Sequence, residues 1–235
     1  TDTQDTTGTV LEEHLVEVTE EQVKEAVLSF TGEYMQVPPM YSALKVNGKK
    51  LCDLARAGVT VERQARPVQL YSIEIIKMQL PRVCMRVRCS KGTYIRTLCQ
   101  DIGEKLSCGA CMESLLRTKV SEFCVQDALR LSEIEERVQK AAGQTPSEQW
   151  NAEMFDFIYA VDSVFLQYKK AVICKEWNKL LYNGNRMKKD MFVSYQKDWE
   201  QQKVRIYDEE GRFIGIYEYS EIHGDYKPVK LFMEA

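Results

Sequence analysis

Cys89-Ser90-Lys91-Gly92-Thr93-Tyr94-Ile95-Arg96-Thr97-Leu98 is the stretch on which the reading of the fold turns. Before it, Val83, Met85, Val87 and Cys89 alternate with polar residues, the two-residue period of a half-buried strand. After it, Ile95, Leu98, Cys99, Ile102 and Leu106 recur along one helix face. Ser90-Lys91-Gly92 breaks the strand, so a strand hands over to a helix across a short turn. Lys91 offers phosphate a mobile point charge, Tyr94 a π-face with a hydroxyl, and Arg96 a rigid fork that matches a carboxylate. A turn with a packed tyrosine and a surface arginine would read the same way, so this stretch alone leaves both possibilities open.

Outward toward the amino terminus, Val68, Leu70, Ile73 and Ile75 predict the neighbouring strand. Leu51, Leu54 and Ala55 predict a short helix ending at Gly58, and Asn47-Gly48 a tight turn. Two prolines in Val37–Val46 exclude helix and central-strand pairing, which leaves an ordered loop entering a short strand. Thr19 and Gln22 form a capping-box pattern ahead of Val23, Ala26, Val27 and Phe30, with Gly32 as the left-handed stop of that helix. Toward the carboxyl terminus, Leu115–Phe123 reads as a strand, Ser132 and Glu135 cap a helix running toward Gly143, and Gly143–Asn151 is a polar loop. Past about Val164 the texture changes. A helix near Cys174–Leu181, an Asn183-Gly184 turn, strands at Met191–Tyr195, Val204–Tyr207, Phe213–Tyr217 and Val229–Met233, and a Glu210-Gly211 hairpin turn predict a small β-rich module, with a boundary near Phe165.

The chain has 235 residues, 44% hydrophobic and 29% charged, the balance of a globular chain with a packed core. No apolar run reaches the ~18 residues of a spanning helix, and a cytoplasmic protein is expected. Thirty-two basic against thirty-five acidic residues give a net charge of −3, so the whole-molecule field does not advertise nucleic acid. Two acid-free stretches do: Arg82, Arg86, Arg88, Lys91 and Arg96, then Lys179, Arg186, Lys188 and Lys189. Either could equally be a solvated strand or turn. Cys108-x-x-Cys111 lacks a second pair, and His14 and His223 lie far from it, so reduced cysteines and no metal are expected. Neither G-x-G-x-x-G nor a P-loop occurs, which argues against a nucleotide cofactor.

Several segments in register carry a more specific signal. Thr1-Asp2-Thr3-Gln4-Asp5, Pro39–Lys45, Gly48–Leu51, Ala65–Val68, Cys89–Thr97, Gly103–Leu106, Gly109-Ala110 and Leu115–Arg117 together resemble the bacterial TruB family of tRNA pseudouridine-55 synthases over about residues 1–125. The resemblance implies an α+β catalytic domain on a largely antiparallel mixed sheet flanked by helices (1–165), followed by a PUA-like RNA-binding module (166–235). It implies cofactor-free isomerisation of a T-loop uridine of tRNA, the base being extruded, stacked and read on its polar edge. A monomer is expected.

On this resemblance Tyr94 stacks on the flipped base and assists proton removal at C5, and Leu115 gives apolar contact. Arg96 pairs with the family's essential aspartate. Asp5 is either a further partner of Arg96 or a turn cap. Lys91, Arg117, Lys188 and Lys189 complete the expected RNA contacts. The family's catalytic aspartate, in a G-x-L-D-P-type motif ahead of T-D-T-x-D, has no counterpart in residues 1–235, nor does a second pocket tyrosine. With Thr1 at the start in place of methionine, the chain is expected to be the carboxyl-side portion of a longer protein. A non-catalytic RNA-binding protein that keeps the groove is the alternative.

Overall fold

The computed structural model describes residues 1–143 and 154–232, which divide into two compact units, Thr1–Leu116 and Arg117–Ala235. Most of the expected Gly143–Asn151 loop, and Met233, lie outside the described residues.

In the first unit, helix α1 (Glu20–Leu28) starts at Thr19, whose hydroxyl accepts from the Gln22 amide while the Gln22 side chain accepts from the Thr19 N–H. The helix ends at Leu28, capped by Ser29. Gly32 (φ +113°) therefore opens strand β1 (Gly32–Gln36) instead of closing the helix. A miniature hairpin, β2 (Lys45–Val46) and β3 (Lys49–Lys50), turns on Asn47-Gly48 and leads into α2 (Leu51–Arg56). Strands β4 (Arg66–Gln79) and β5 (Arg82–Cys89) form the long hairpin, and β1 pairs antiparallel with β4, giving the order β1-β4-β5.

The apolar sequence of β4 steps by two, then by three between Leu70 and Ile73, then by two again. The register shift between Leu70 and Ser72 explains the extra step: one unpaired residue, Tyr71, resets the phase so that Leu70 and Ile73 both face the core. Val23 and Val27 of α1 pack on Leu70 and Ile73, with Leu98 and Ile102 of α3 (Ile95–Lys105) completing this core.

The second unit begins with β6 (Lys119–Val120) and β7 (Phe123–Cys124), a two-rung hairpin. This replaces the strand expected over Leu115–Phe123, whose apolar residues Leu115, Leu116, Val120 and Phe123 are all exposed and have no core to hold a longer ladder. Helix α4 (Leu131–Ala142) starts two residues earlier than expected, with Glu133, not Glu135, accepting from the Arg130 N–H at its entrance. Strands β8 (Lys169–Val172), β9 (Met187–Lys188), β10 (Lys203–Tyr207), β11 (Phe213–Ser220) and β12 (Asp225–Leu231) form one sheet in the order β8-β10-β11-β12-β9, with only β8 and β10 parallel. Helix α5 is short (Asn178–Tyr182), and Met191–Tyr195 is not a strand: Phe192 makes a single bridge to Ile173.

The division at Leu116/Arg117 differs from the expected boundary near Phe165 for visible reasons. Phe165 packs on Tyr168, Phe213 and Phe232, Tyr207 donates to Asp162, Phe123 meets Tyr159 edge-on, and Arg137 pairs with Asp156. Among the described residues, Asp162 and Phe165 reach the β-rich sheet, while the Phe123–Tyr159 and Arg137–Asp156 contacts tie the segment before it together. Among the described residues no helix is long and apolar enough to cross a membrane.

Gly103 fixes the course of the chain after α3. A Cβ there would overlap the Ala110 nitrogen and the Gly109 carbonyl carbon, while the Gly103 carbonyl accepts from Cys108 and Gly109. Only a residue without a side chain lets the returning backbone lie against the helix. Gly103→Ala, which would favour an isolated helix by about 1 kcal/mol, is expected to destabilise the protein by at least about 2 kcal/mol through that overlap. Urea unfolding measures this, and a neutral or stabilising effect would contradict it.

Candidate functional site

The turn between β5 and α3 is pinned before any ligand is considered. Ser90 exchanges backbone and side-chain hydrogen bonds with Gln69 of β4 (2.8 and 3.1 Å), and Thr93 donates its hydroxyl to the Ser90 carbonyl (2.9 Å). Gly92 sits at φ +84° with open space where a side chain would be, a conformation that L side chains adopt at a penalty. Lys91 is exposed beside it, and Tyr94, half-buried, is the residue from which α3 departs.

Arg96 is the centre of the site. It carries a cation in the first turn of a helix that has no acid there, where the helix dipole disfavours positive charge. Its guanidinium donates to Asp5 Oδ2 (3.2 Å), the Thr3 carbonyl (3.1 Å) and the Tyr41 carbonyl (2.7 Å). One side chain thus joins α3, the Thr1–Thr9 loop and the Pro39–Ser42 loop. Next to it, buried Thr97 donates to Gln4 Oε1 (2.8 Å), fastening the same loop a second time.

Asp5 does both things that its sequence left open. Oδ2 pairs with Arg96, and Oδ1 accepts from the Thr3 hydroxyl (2.8 Å), the Thr7 hydroxyl (2.6 Å) and the Thr7 amide (3.0 Å), a turn cap. The Thr7 hydroxyl, then Thr3, with Arg96 contributing less, hold its carboxyl down at about 2. Its backbone bridges Met112, with Met112 donating to the Gln4 carbonyl and accepting from the Thr6 amide. The course set by Gly103 therefore brings the Met112–Leu116 segment alongside the loop, and Leu115 follows in that segment, 56% exposed.

Other expected residues are placed differently. Arg82 and Arg86 pair with Glu113 and Glu74 on the surface, and Arg88 lies over the Tyr71 ring. Arg117 is exposed and belongs to the second unit. There, Lys188 is exposed, whereas Lys189 is bound to Glu200 and lies over the Tyr195 and Tyr219 rings. Arg186, from the same stretch, forks onto Asp225. The eight cysteines are free, and among the described residues no three His, Cys, Asp or Glu side chains group to hold a metal ion. An apolar cavity bounded by Val23, Val27, Met85, Ile102 and Leu106 includes none of Asp5, Tyr94 or Arg96 and belongs to the core.

One residue of this site had no signal in the sequence. Gln36, at the end of β1 and 1% exposed, bonds the backbone of Tyr94 on both its N–H and its carbonyl. The two lie 58 positions apart, and only the pairing of β1 with β4 brings them together.

Because folding lowers the Asp5 pKa, its ionised form stabilises the fold above the ordinary carboxylate range, and that contribution is lost as pH falls from about 4 toward 2. Asp5→Asn is expected to be less stable than the native protein at pH 7, by about 1–2 kcal/mol after allowing for partial solvent screening. The gap should close as the pH falls to 2. Thermal melts of both proteins across this range measure it, and a gap independent of pH would contradict the assignment.

Comparisons with known proteins converge on one family. The model of the TruB family pseudouridylate synthase N-terminal domain matches residues 1–95, and that of the tRNA pseudouridylate synthase B C-terminal domain matches residues 96–166. The chain is 47% identical over 218 residues to tRNA pseudouridine synthase B of Lachnoclostridium phytofermentans, covering 88% of this chain and 67% of that protein. It is 37% identical over 233 residues to the protein of the same name from Clostridium kluyveri, covering 99% and 74%. It superposes on a chain of a Cbf5-Nop10-Gar1 complex with a TM-score of 0.62 at 20% identity, covering 95% of this chain and 63% of that one, which shows a shared fold. With two consecutive family models matched and the α+β fold in common, the chain belongs to the TruB family of pseudouridylate synthases.

Proposed function

We propose that this chain forms the base-binding side of an enzyme that converts a T-loop uridine of tRNA into pseudouridine. The N1–C1′ bond breaks, the base turns, and C5 bonds to C1′. C5 gives up a proton and N1 gains one, so the atoms balance and no redox partner is needed. The observation that carries this reading is the placement of Tyr94 where α3 begins, two residues before the Arg96–Asp5 pair, in a chain matched by the family models from residue 1 to 166.

A base inside a folded RNA loop is reached only after extrusion, and a fixed aromatic face compensates its lost stacking by about 1–3 kcal/mol. Tyr94 supplies that face and a hydroxyl near C5, with Leu115 as an apolar contact from the segment beside the Thr1–Thr9 loop. The attack that opens the exchange requires a carboxylate. Asp5 is unsuited to it, since Oδ1 accepts three hydrogen bonds and Oδ2 faces Arg96. Asp2 is engaged in accepting from the Thr9 amide (2.7 Å). Three N–H groups of Arg96 are engaged by the bonds described, and its remaining donors are suited to aim and keep ionised a further carboxylate of the G-x-L-D-P type.

Lys91, Arg117 and Lys188 are the proposed phosphate contacts. Lys189 instead braces the β8–β12 sheet, which we assign as a PUA-like RNA-binding module. A monomer acting on tRNA in the cytoplasm completes the proposal.

The test is release of tritium from C5-tritiated uridine in tRNA by the full-length protein, alongside tRNA binding over a salt series. Tyr94→Ala is expected to slow release at least about 100-fold, roughly 2.7 kcal/mol, while tRNA affinity changes by less than about tenfold. Affinity of the unmodified protein should fall steeply with salt as phosphate contacts release counterions. Near-normal release by Tyr94→Ala would remove this residue from the pocket. Salt-sensitive binding without any release by the unmodified protein would favour an RNA-binding role without chemistry.

A further inference from the structure

We infer that Gln36 is a positioning residue for the base-binding pocket, its carboxamide clamping the backbone of Tyr94 and so setting where the ring stands. The inference rests on the synthase reading above for its functional consequence, and on geometry alone for the clamp. Gln36 Oε1 accepts the Tyr94 N–H at 2.8 Å, and Gln36 Nε2 donates to the Tyr94 carbonyl at 3.1 Å. The second hydrogen of Nε2 is directed to the Tyr34 hydroxyl. Because a backbone N–H can only donate and a carbonyl only accept, the orientation of this amide is fixed by its partners.

Tyr94 depends on this clamp. It is the residue at the entrance of α3, extended at φ −99° and ψ 107°, with no side-chain cap on the helix. Its carbonyl also accepts from the Leu98 N–H (3.0 Å), the first helical bond. A side chain acts here as a sheet strand would, contributing one donor and one acceptor to a single residue. Tyr34 steadies the clamp: it lies two positions before Gln36 on the same face of β1, and its ring meets Phe30 edge-on at 5.3 Å.

The side chain required is narrow in chemistry. Leu would fill the space with neither donor nor acceptor, Met with no donor and only a weakly accepting sulfur, and an ionised Glu would set a carboxylate against the Tyr94 carbonyl. With Gln36 buried, an unmatched Tyr94 amide has no easy recourse to water, so the turn would shift to satisfy it. A displacement of about 1 Å at a reacting group can lower a rate 100-fold.

The experiment uses the full-length protein and tRNA. In Gln36→Met, kcat for pseudouridine formation is expected to fall about 10- to 100-fold while KM and tRNA affinity stay within about threefold. Tyr34→Phe, which removes only the hydroxyl behind the amide, should lower kcat a few-fold with KM unchanged. Wild-type kcat in both variants would overturn the inference, as would losses matched by equal losses of folded protein or of binding. Hydrogen exchange reads the clamp without any substitution: the Tyr94 amide of the unaltered protein is expected to be strongly protected although it precedes the helix, and exchange at an open-chain rate would overturn the inference even if Gln36→Met failed to fold. Protection at Tyr94 in a protein that forms no pseudouridine would instead refute the synthase reading and leave the clamp intact.

Discussion

Arg96 is the constraint on which the site depends. A cation in the first turn of α3 opposes the helix dipole, and a half-buried guanidinium needs acceptors. Both demands are met by groups remote in sequence: the Asp5 carboxylate, the Thr3 carbonyl and the Tyr41 carbonyl. A planar fork with several donors can reach three acceptors at once, whereas the single ammonium of a lysine could not hold the same spread. Satisfying one side chain therefore draws two loops onto the start of the helix, two residues after Tyr94.

The rest of the first unit supports this junction. The phase shift in β4 keeps Leu70 and Ile73 on the core face, where they hold α3 through Leu98 and Ile102. Gly103 then lets the chain double back, so that Met112 bridges Asp5 from the other side. Asp5 is consequently held by its side chain, through the threonines and Arg96, and by its backbone. That explains a carboxylate that stays ionised yet is poorly suited to be a nucleophile. Gln36 adds a third fastening, on the tyrosine itself.

The sequence was legible where the information is local. The capping box at Thr19, the Asn47-Gly48 turn, the long hairpin and the handover to α3 all follow from periodicity and turn chemistry within a few residues. The motifs in register carried the family. Long-range partnership was not legible: nothing near Lys189 signals that Glu200 and two tyrosine rings engage it, and nothing near Gln36 signals Tyr94. The strand expected at Leu115–Phe123 failed for a related reason, since apolar residues make a strand only where a core receives them, and these are exposed. At Asp5 the sequence posed two roles as alternatives, and two carboxylate oxygens allow both.

The most direct measurement of this arrangement is a double-mutant cycle in unfolding free energy between Arg96→Met and Asp5→Asn. If the guanidinium holds the Thr1–Thr9 loop to α3 through that carboxylate, the two substitutions are coupled by about 1 kcal/mol or more, each keeping the part of its cost that comes from its other partners. Effects that sum to within about 0.5 kcal/mol would mean that the two residues stabilise the protein independently, and would contradict the central role assigned to their pairing.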